Sequence, residues 1–391
     1  MYWWILQVES TSSKRNTQRS NSKTLQTEGF SFPFPFVALS NLKSYHLYLE
    51  EAHLQQDFLP LTLNRSFSDL RIGLFSIHNR WQKLAHQQGI QIHFTTKDQA
   101  TISIAANHIP TVHLSLEDFF AGKNSAEKSF IQINRIWELA TTNIEILLSD
   151  MQLVDTNDFL PVAPATIMST GSHPVHVHPT AKLDHCFINT ENGPVVIAAN
   201  AQIMSGAMLR GPIYIGEHAV VKMGAMLYEG SNIGHHCVVG GEIKNSIFHA
   251  NANKAHHGYI GDSYIGEWCN LGAGTTCSNL KNTAGKIKIW DMQAKAYRLA
   301  TEKAGVFMGD FVRTAVNTSI NSGSIFGSYS NVFNKSALTP KFIPPFAWSH
   351  EASGKYDLDK LMTELNKWMK MKGQSPSEEL KTTIINLYNQ F

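Results

Sequence analysis

Between residues 173 and 341 the hydrophobic positions recur at every sixth residue, a period that matches neither the helical turn nor the alternation of an ordinary strand. Aliphatic side chains stand at Ile197, Ile203, Leu209, Ile215, Val221, Leu227, Ile233 and Val239. Four positions after the first seven of these come Ala201, Ala207, Ile213, Ala219, Ala225, Ser231 and Cys237, small in every case but Ile213. Ile265 and Leu271 resume the period with Cys269 and Thr275, and Ile320, Phe326, Val332 and Leu338 continue it with Thr318, Ser324, Ser330 and Ser336. A six-residue unit of this kind makes one short strand and one corner, and three units close a triangular coil. The aliphatic anchor points into the prism, and the small residue fits where stacked coils approach at the corners. The pattern predicts a mainly β protein built on a left-handed parallel β-helix of hexapeptide repeats over 173–341, with Cys237 and Cys269 as small buried filler.

Two interruptions break the period. Val239 and Ile265 are 26 residues apart, two more than four hexads, so the stretch 244–258 is expected to bulge out of register. The second, 281–305, is charged and contains the alternating run Lys286 to Trp290, which predicts an extruded hairpin, a solvated arm in preference to a lid.

Outside the repeats the patterning is different. Residues 9–29 are almost entirely polar, and residues 1–42 are expected to form a loose extension. A small α/β domain is expected over 43–133, with an amphipathic helix ended by Gly89 and strands at 92–94, 102–105 and 112–114. Ile136, Ala140, Ile144, Leu147 and Leu148 share one helical face and predict a linker helix over 134–150. Two helices, 357–372 and 377–389, are expected to close the chain within 356–391, the second opened by Ser375-Pro-Ser-Glu378.

Composition narrows the function. Of 391 residues 43% are apolar, enough for a sizeable core, and 33 basic against 31 acidic side chains leave a net charge of +2. No global field draws such a chain to nucleic acid or an anionic membrane. The four cysteines form no CxxC pair, no run suits a membrane span or a signal peptide, and the expectation is a cytoplasmic protein. His173, His176 and His178 form one histidine cluster and His249, His256 and His257 another; neither has the partners or spacing of a zinc site, so no metal site is expected.

One run carries chemistry. Residues 240–280, GGEIKNSIFHANANKAHHGYIGDSYIGEWCNLGAGTTCSNL, hold Glu242-x-Lys244, Lys254-Ala-His-His257, Tyr259-Ile-Gly-Asp262, Asn270-Leu-Gly-Ala273-Gly-Thr275 and Asn279 in that order. This order resembles the acetyltransferase site of the bifunctional N-acetylglucosamine-1-phosphate uridyltransferase and glucosamine-1-phosphate acetyltransferase family. The resemblance implies a homotrimer that uses acetyl-CoA as co-substrate on an amino-sugar phosphate in cell-wall or surface polysaccharide precursor synthesis. It implies a histidine general base, which counting from Gly261 places at His256 and counting from Lys254 at His257, with Glu242 fixing the ring. It further implies Lys244 and Tyr259 on the sugar phosphate, Asn270 and Asn279 on the amino sugar, and the backbone of Ala273 on acetyl-CoA. The sequence departs from that family at Glu229, which stands where a phosphate-binding arginine is expected, and at Leu280; Arg210 lies one coil earlier.

The front half has no glycine-rich phosphate loop before Leu59-Pro-Leu-Thr62. Its Leu59–Trp81 segment resembles a sugar nucleotidyltransferase remnant, with Arg65 and Arg71 as anion contacts. The match to sugar nucleotidyltransferase-like proteins with a short front domain runs over about 45–350, through Arg71-Ile-Gly-Leu-Phe-Ser-Ile77, Met308-Gly-Asp310 and Ile343-Pro-Pro-Phe-Ala-Trp348. Two other readings are therefore open: a sugar-1-phosphate nucleotidyltransferase, which alone would call for Mg2+, and a non-catalytic sugar-nucleotide-binding scaffold.

Overall fold

A computed structural model describes residues 42–123, 128–160, 165, 167–333, 338–348 and 354–391. The extension expected over 1–42 lies outside these residues except for Leu42. From Ile167 onward the chain winds as a three-sided solenoid of short parallel strands. One face has nine strands, from Val175–Val177 to Phe342–Ile343, and one has eight, from Lys182–Leu183 to Asn331–Val332. The third has six, from Ile167–Thr170 to Tyr259–Gly261, and is continued by the pair Thr276–Cys277 and Ser319–Ile320. The eight anchors from Ile197 to Val239 are all buried in a single core that runs along the axis, and Ala201, Ala207, Ala219, Ala225 and Cys237 fill it at the corners. The mainly β solenoid read from the six-residue period is the observed fold.

The corner between the nine- and eight-stranded faces shows what that geometry demands of non-glycine residues. Asn200, His218, His236, Asn251, Trp268, Phe311, Tyr329 and Phe346 occupy it coil after coil, all with φ between 55 and 64°. That conformation costs an L-residue roughly 1–2 kcal/mol. Stacking offsets it: ring centroids lie 4.7 Å apart for His218 and His236, 5.3 Å for Phe311 and Tyr329, and 4.9 Å for Tyr329 and Phe346. The terminal helices Leu358–Lys370 and Glu378–Tyr388 lay Leu361, Leu365 and Ile384 over the upper half of this ladder.

The stretch 244–258 does not bulge. It is wound into the solenoid as strands Ile247–Phe248 and Asn253–Lys254, each in parallel register with the coils on either side. The extra residues are absorbed because five steps, not four, separate Val239 from Ile265, and three of them are short: Val239 to Ile243, Ile243 to Phe248 and Ile260 to Ile265. Gly240 and Gly241 close alone a corner that takes four residues in the two coils directly below, as Asp184 and His185 do in the first coil. Residues 281–305 leave the solenoid as an antiparallel hairpin, Lys288–Asp291 with Ala296–Leu299.

Before the solenoid, strands Ile90–Phe94, Lys43–Glu50 and Ile102–Ala105 form a small parallel sheet with Lys43–Glu50 in the centre, flanked by helix Ile77–Gln87. The strand expected at 112–114 is a turn. The Thr111 hydroxyl donates to Lys128 O and accepts from His113 N, curling the chain. His108–Pro110 instead pairs with Phe130–Gln132. The linker is two helices, Glu138–Thr141 and Asn143–Met151, broken at Thr142, whose hydroxyl bonds back to Glu138 O. This front unit packs on the outer surface of the nine-stranded face, sharing a core with Ile247, Tyr264, Phe307 and Ile325.

Candidate functional site

The six-stranded face carries two outward rows, because alternate residues of each strand leave the same side. One row runs Met168, Phe187, Met208, Met226, Glu242, Tyr259; the other runs Thr170, Asn189, Arg210, Tyr228, Lys244, Gly261. The lower half is apolar: Met168, Phe187, Met208 and Met226 line a shallow open groove of about 530 Å³. The upper half is polar and holds Glu242, Lys244 and Tyr259, with Asn279 joined to them.

Glu242 and Lys244 flank the fully buried Ile243, and the register sets Glu242 beside Tyr259 and Lys244 beside Gly261. Gly261 makes room for the tyrosine: a Cβ there would stand 2.1 Å from the Tyr259 hydroxyl oxygen. That oxygen accepts from Asn279 Nδ2 at 3.0 Å. The same amide donates to Asp262 Oδ2 at 2.6 Å, and Asn245 Nδ2 donates to Asp262 Oδ1 at 2.7 Å. Burial, with Asp262 and Glu242 close by, pushes the Tyr259 pKa up to about 12, so the phenol keeps its proton. With its oxygen occupied by Asn279, the phenol has its O–H left to give to an incoming acceptor. Lys244 is exposed and forms no ion pair among the described residues.

Asp262 was missed as a site residue, although the run Tyr259-Ile-Gly-Asp262 contains it. Its φ of 47° turns its carboxylate back into the face, where it holds both Asn245 and Asn279. Asn245 also donates to Ala140 O at 3.0 Å, and Asn143 donates to Asn245 Oδ1 at 3.2 Å, so the linker helices brace this corner.

The other candidates stand elsewhere. His256 and His257 are exposed on the corner between the eight- and six-stranded faces, and no hydrogen bond joins His256 to Glu242. Ala273 occupies the same corner one coil above, its carbonyl accepting from Asn317 N at 2.6 Å. Asn270 lies around that corner on the eight-stranded face, where its Oδ1 accepts from Asn253 at 2.6 Å. Tyr259 and Asn279 are therefore joined, Glu242 and Lys244 adjoin them, and Asn270 does not enter this cluster. Glu229 is neutralised by Arg210 at 2.9 Å.

Arg65 and Arg71 are not free anion contacts. Arg65 is ion-paired with Asp310 at 2.6 Å and Glu267 at 3.1 Å, and its guanidinium also meets His249. Arg71 donates to Asn232 Oδ1 at 3.0 Å and lies over the Tyr214 ring. Both fasten the front unit to the solenoid, across sequence separations that no local pattern registers. The four cysteines are buried free thiols. Among the described residues no group of three or more His, Cys, Asp and Glu is placed to hold a metal ion, and no helix is long and apolar enough to cross a membrane.

Residues 47–99 match the family model described as sugar nucleotidyl transferase. A bifunctional sugar-1-phosphate nucleotidylyltransferase/acetyltransferase of Sulfurisphaera tokodaii is 35% identical over 143 residues, 36% of this chain and 35% of that protein. The bifunctional protein GlmU of Methanocaldococcus jannaschii is 38% identical over 87 residues, 22% of this chain and 21% of that protein. The matched region thus spans about a third or less of these relatives' own length. Among solved structures, an Arabidopsis UDP-N-acetylglucosamine acyltransferase aligns with 58% of this chain and 90% of its own at 14% identity and a TM-score of 0.27.

Proposed function

We propose that the protein is an acyltransferase, a homotrimer that carries an acetyl group from acetyl-CoA to the amine of an amino-sugar phosphate, for cell-wall or surface polysaccharide precursors made in the cytoplasm. The observation that carries this reading is the polar half of the six-stranded face. An ammonium, Lys244, and a protonated phenol, Tyr259, stand side by side there, next to a corner that presents the His256 and His257 imidazoles, and among the described residues neither the ammonium nor the imidazoles have a partner. A point charge and an O–H donor suit a sugar phosphate. Asn279 fixes the phenol, and Asn270, around the corner, is placed to meet the amino sugar only from that other side.

In the reaction the amine lone pair attacks the thioester carbonyl, the C–S bond breaks and the CoA sulfur leaves as thiolate. His256 takes the proton that the amine loses and passes it to the departing sulfur, so that CoA is released as the thiol, and Glu242 is the carboxylate assigned to steady the ring. The Ala273 backbone, directly above His256, is the matching contact for acetyl-CoA. The apolar row from Met168 to Met226 supports the trimer, since a second prism laid on it would cover the groove and wall the site.

Nucleotidyl transfer is not proposed for the front unit. Within the matched segment Arg65 and Arg71 are engaged as above, and Arg80 is bound to Asp150 and Ile72 O, so none of its three arginines is free for a triphosphate and no step through Mg2+ is derived. The test is free-thiol release from acetyl-CoA with glucosamine 1-phosphate. His256→Ala is expected to lower turnover by roughly 10²- to 10⁴-fold with the trimer intact. Loss confined to His257→Ala would move the base by one residue, and full activity of both variants would remove the mechanism.

A further inference from the structure

One lysine stands in the inward column of the eight-stranded face, between the aliphatic anchors Val239 and Leu271. Lys254 points into the prism from the eight-stranded face, in register with Val239 of the coil below and beneath Leu271 of the coil above, and is 1% exposed. Its ammonium donates to Gly240 O at 3.3 Å, to His257 O at 3.2 Å and to His256 O. All three N–H groups are thereby used on main-chain carbonyls, and none faces solvent.

The need for it lies in the coil below. At the other corners of this edge a carbonyl accepts an N–H from the next coil: Gly206 N bonds to His185 O at 2.9 Å, Gly224 N to Ser205 O at 3.2 Å, and Asn317 N to Ala273 O at 2.6 Å. Gly240 and Gly241 make a two-residue corner, as Asp184 and His185 do, but among the described residues no such bond joins it to the four-residue corner above, Ala255 to Gly258. The closeness of the two is direct: a Cβ on Gly241 would stand 2.8 Å from His256 O and 2.7 Å from Gly258 O. The carbonyls of His256 and His257 turn inward and meet the ammonium instead. Neither imidazole has a hydrogen-bond partner among the described residues, so the main chain is what places both rings.

We propose that Lys254 is a positioning residue that holds, from inside the prism, the stretch of backbone carrying His256 and His257 and so sets where the acetyl-transfer base stands. This rests on the acyltransferase reading above. A buried ammonium is costly and an aliphatic would suit the fold at this position, as it does in the coils on either side. Burial holds its pKa down to about 8, in line with a cation kept in an apolar prism by carbonyl dipoles alone.

The test is a double-mutant cycle with Lys254→Met, which keeps the side-chain length and removes the ammonium, and His256→Ala. Lys254→Met is expected to lower kcat roughly 10- to 100-fold with KM for both substrates little changed. In the His256→Ala background it is expected to have no further effect. Effects that multiply would mark a general structural role and overturn the proposal, as would wild-type kcat in Lys254→Met. If His256→Ala itself is fully active, the base assignment falls, and the positioning claim is then read from the histidine ring resonances of ¹³C-labelled protein. Lys254→Met should shift the His256 and His257 signals, assigned with the two alanine variants, and unchanged signals would overturn it. Lys254→Gln, which still donates, should restore part of what Lys254→Met loses, and failure of both variants to fold would show that the fold itself requires a donor here, overturning the proposal.

Discussion

A single methyl group added at Gly261 should disable the proposed phosphate end of the site without harming the fold. The residue lies in strand Tyr259–Gly261 and has no left-handed φ, so alanine suits the backbone and by itself is expected to be neutral or stabilising by about 0.4–1 kcal/mol. The new Cβ would stand 2.1 Å from the Tyr259 hydroxyl oxygen, 2.5 Å from Cζ and 2.8 Å from Cε1, whereas non-bonded atoms need roughly 3.5 Å. The ring must therefore swing away by more than an ångström, which takes the hydroxyl out of its 3.0 Å bond with Asn279. A hydrogen bond from that hydroxyl to a charged phosphate contributes about 1.5–3 kcal/mol, so its loss should raise KM for the sugar phosphate roughly 10- to 150-fold. Tyr259→Phe removes the same bond and should give a similar rise. Because both changes delete one interaction, the double variant should be no worse than the poorer single. The assay is initial velocity against glucosamine 1-phosphate at saturating acetyl-CoA, alongside thermal melting. A wild-type KM in Gly261→Ala, or effects of the two substitutions that multiply, would refute the reasoning.

Three further outcomes follow from other parts of the molecule. Asp150 is buried and accepts from Arg80 at 2.7 and 2.6 Å and from Leu74 N at 2.8 Å, so Asp150→Ala, which strands a buried guanidinium, should cost about 3–5 kcal/mol in urea unfolding. Burial, with Arg65 and Arg71 nearby, holds His249 well below its ordinary pKa of 6.5. The unfolded chain therefore binds the proton first, and stability present above that pH is lost as pH falls, by up to about 1.4 kcal/mol per unit. Glu267, pushed up by burial, works in the opposite sense, since its folded carboxyl takes a proton before the unfolded one does. Urea midpoints at pH 7 and 5.5 should accordingly shift more in the wild type than in His249→Gln, and equal shifts would exclude His249 as the sensitive group. Finally, Met208→Glu places a charge in the middle of the apolar row of the six-stranded face and should convert the proposed trimer to monomer in sedimentation velocity, with the melting of the prism itself little changed.

The two halves of the six-stranded face explain why its polar end is where chemistry is proposed. Coil after coil the solenoid repeats the same outward positions, and the row that begins Met168, Phe187, Met208, Met226 changes to Glu242 and Tyr259 at the level of the two-glycine corner. Above that corner His256 and His257 stand at the edge, with Lys254 beneath them donating to both of their carbonyls. Irregularity in the winding, the change from apolar to polar, and the candidate side chains all coincide in one coil.

How much of this was legible in the residues depends on the range of the contacts involved. A solenoid packs each coil only against its neighbours, so its core repeats along the chain, and the anchors Ile197 to Val239 could be read as one buried row before any coordinates. The terminal helices and the hairpin at 281–305 were legible for the same reason, their periodicity being local. The stretch 244–258 was not: its out-of-step length is equally consistent with a bulge and with five short steps, and only stacking against the coils on both sides selects the second. The motif order marked Lys244, Tyr259 and Asn279, yet Asp262, which ties Asn279 to Asn245, became visible only when its left-handed corner was seen. Arg65 and Arg71 resembled ligand contacts until they were found bound to Asp310 and Asn232, 245 and 161 residues away. Such partners are chosen by which surfaces meet after folding, and a charge awaiting a distant carboxylate looks, along the chain, the same as one awaiting a phosphate.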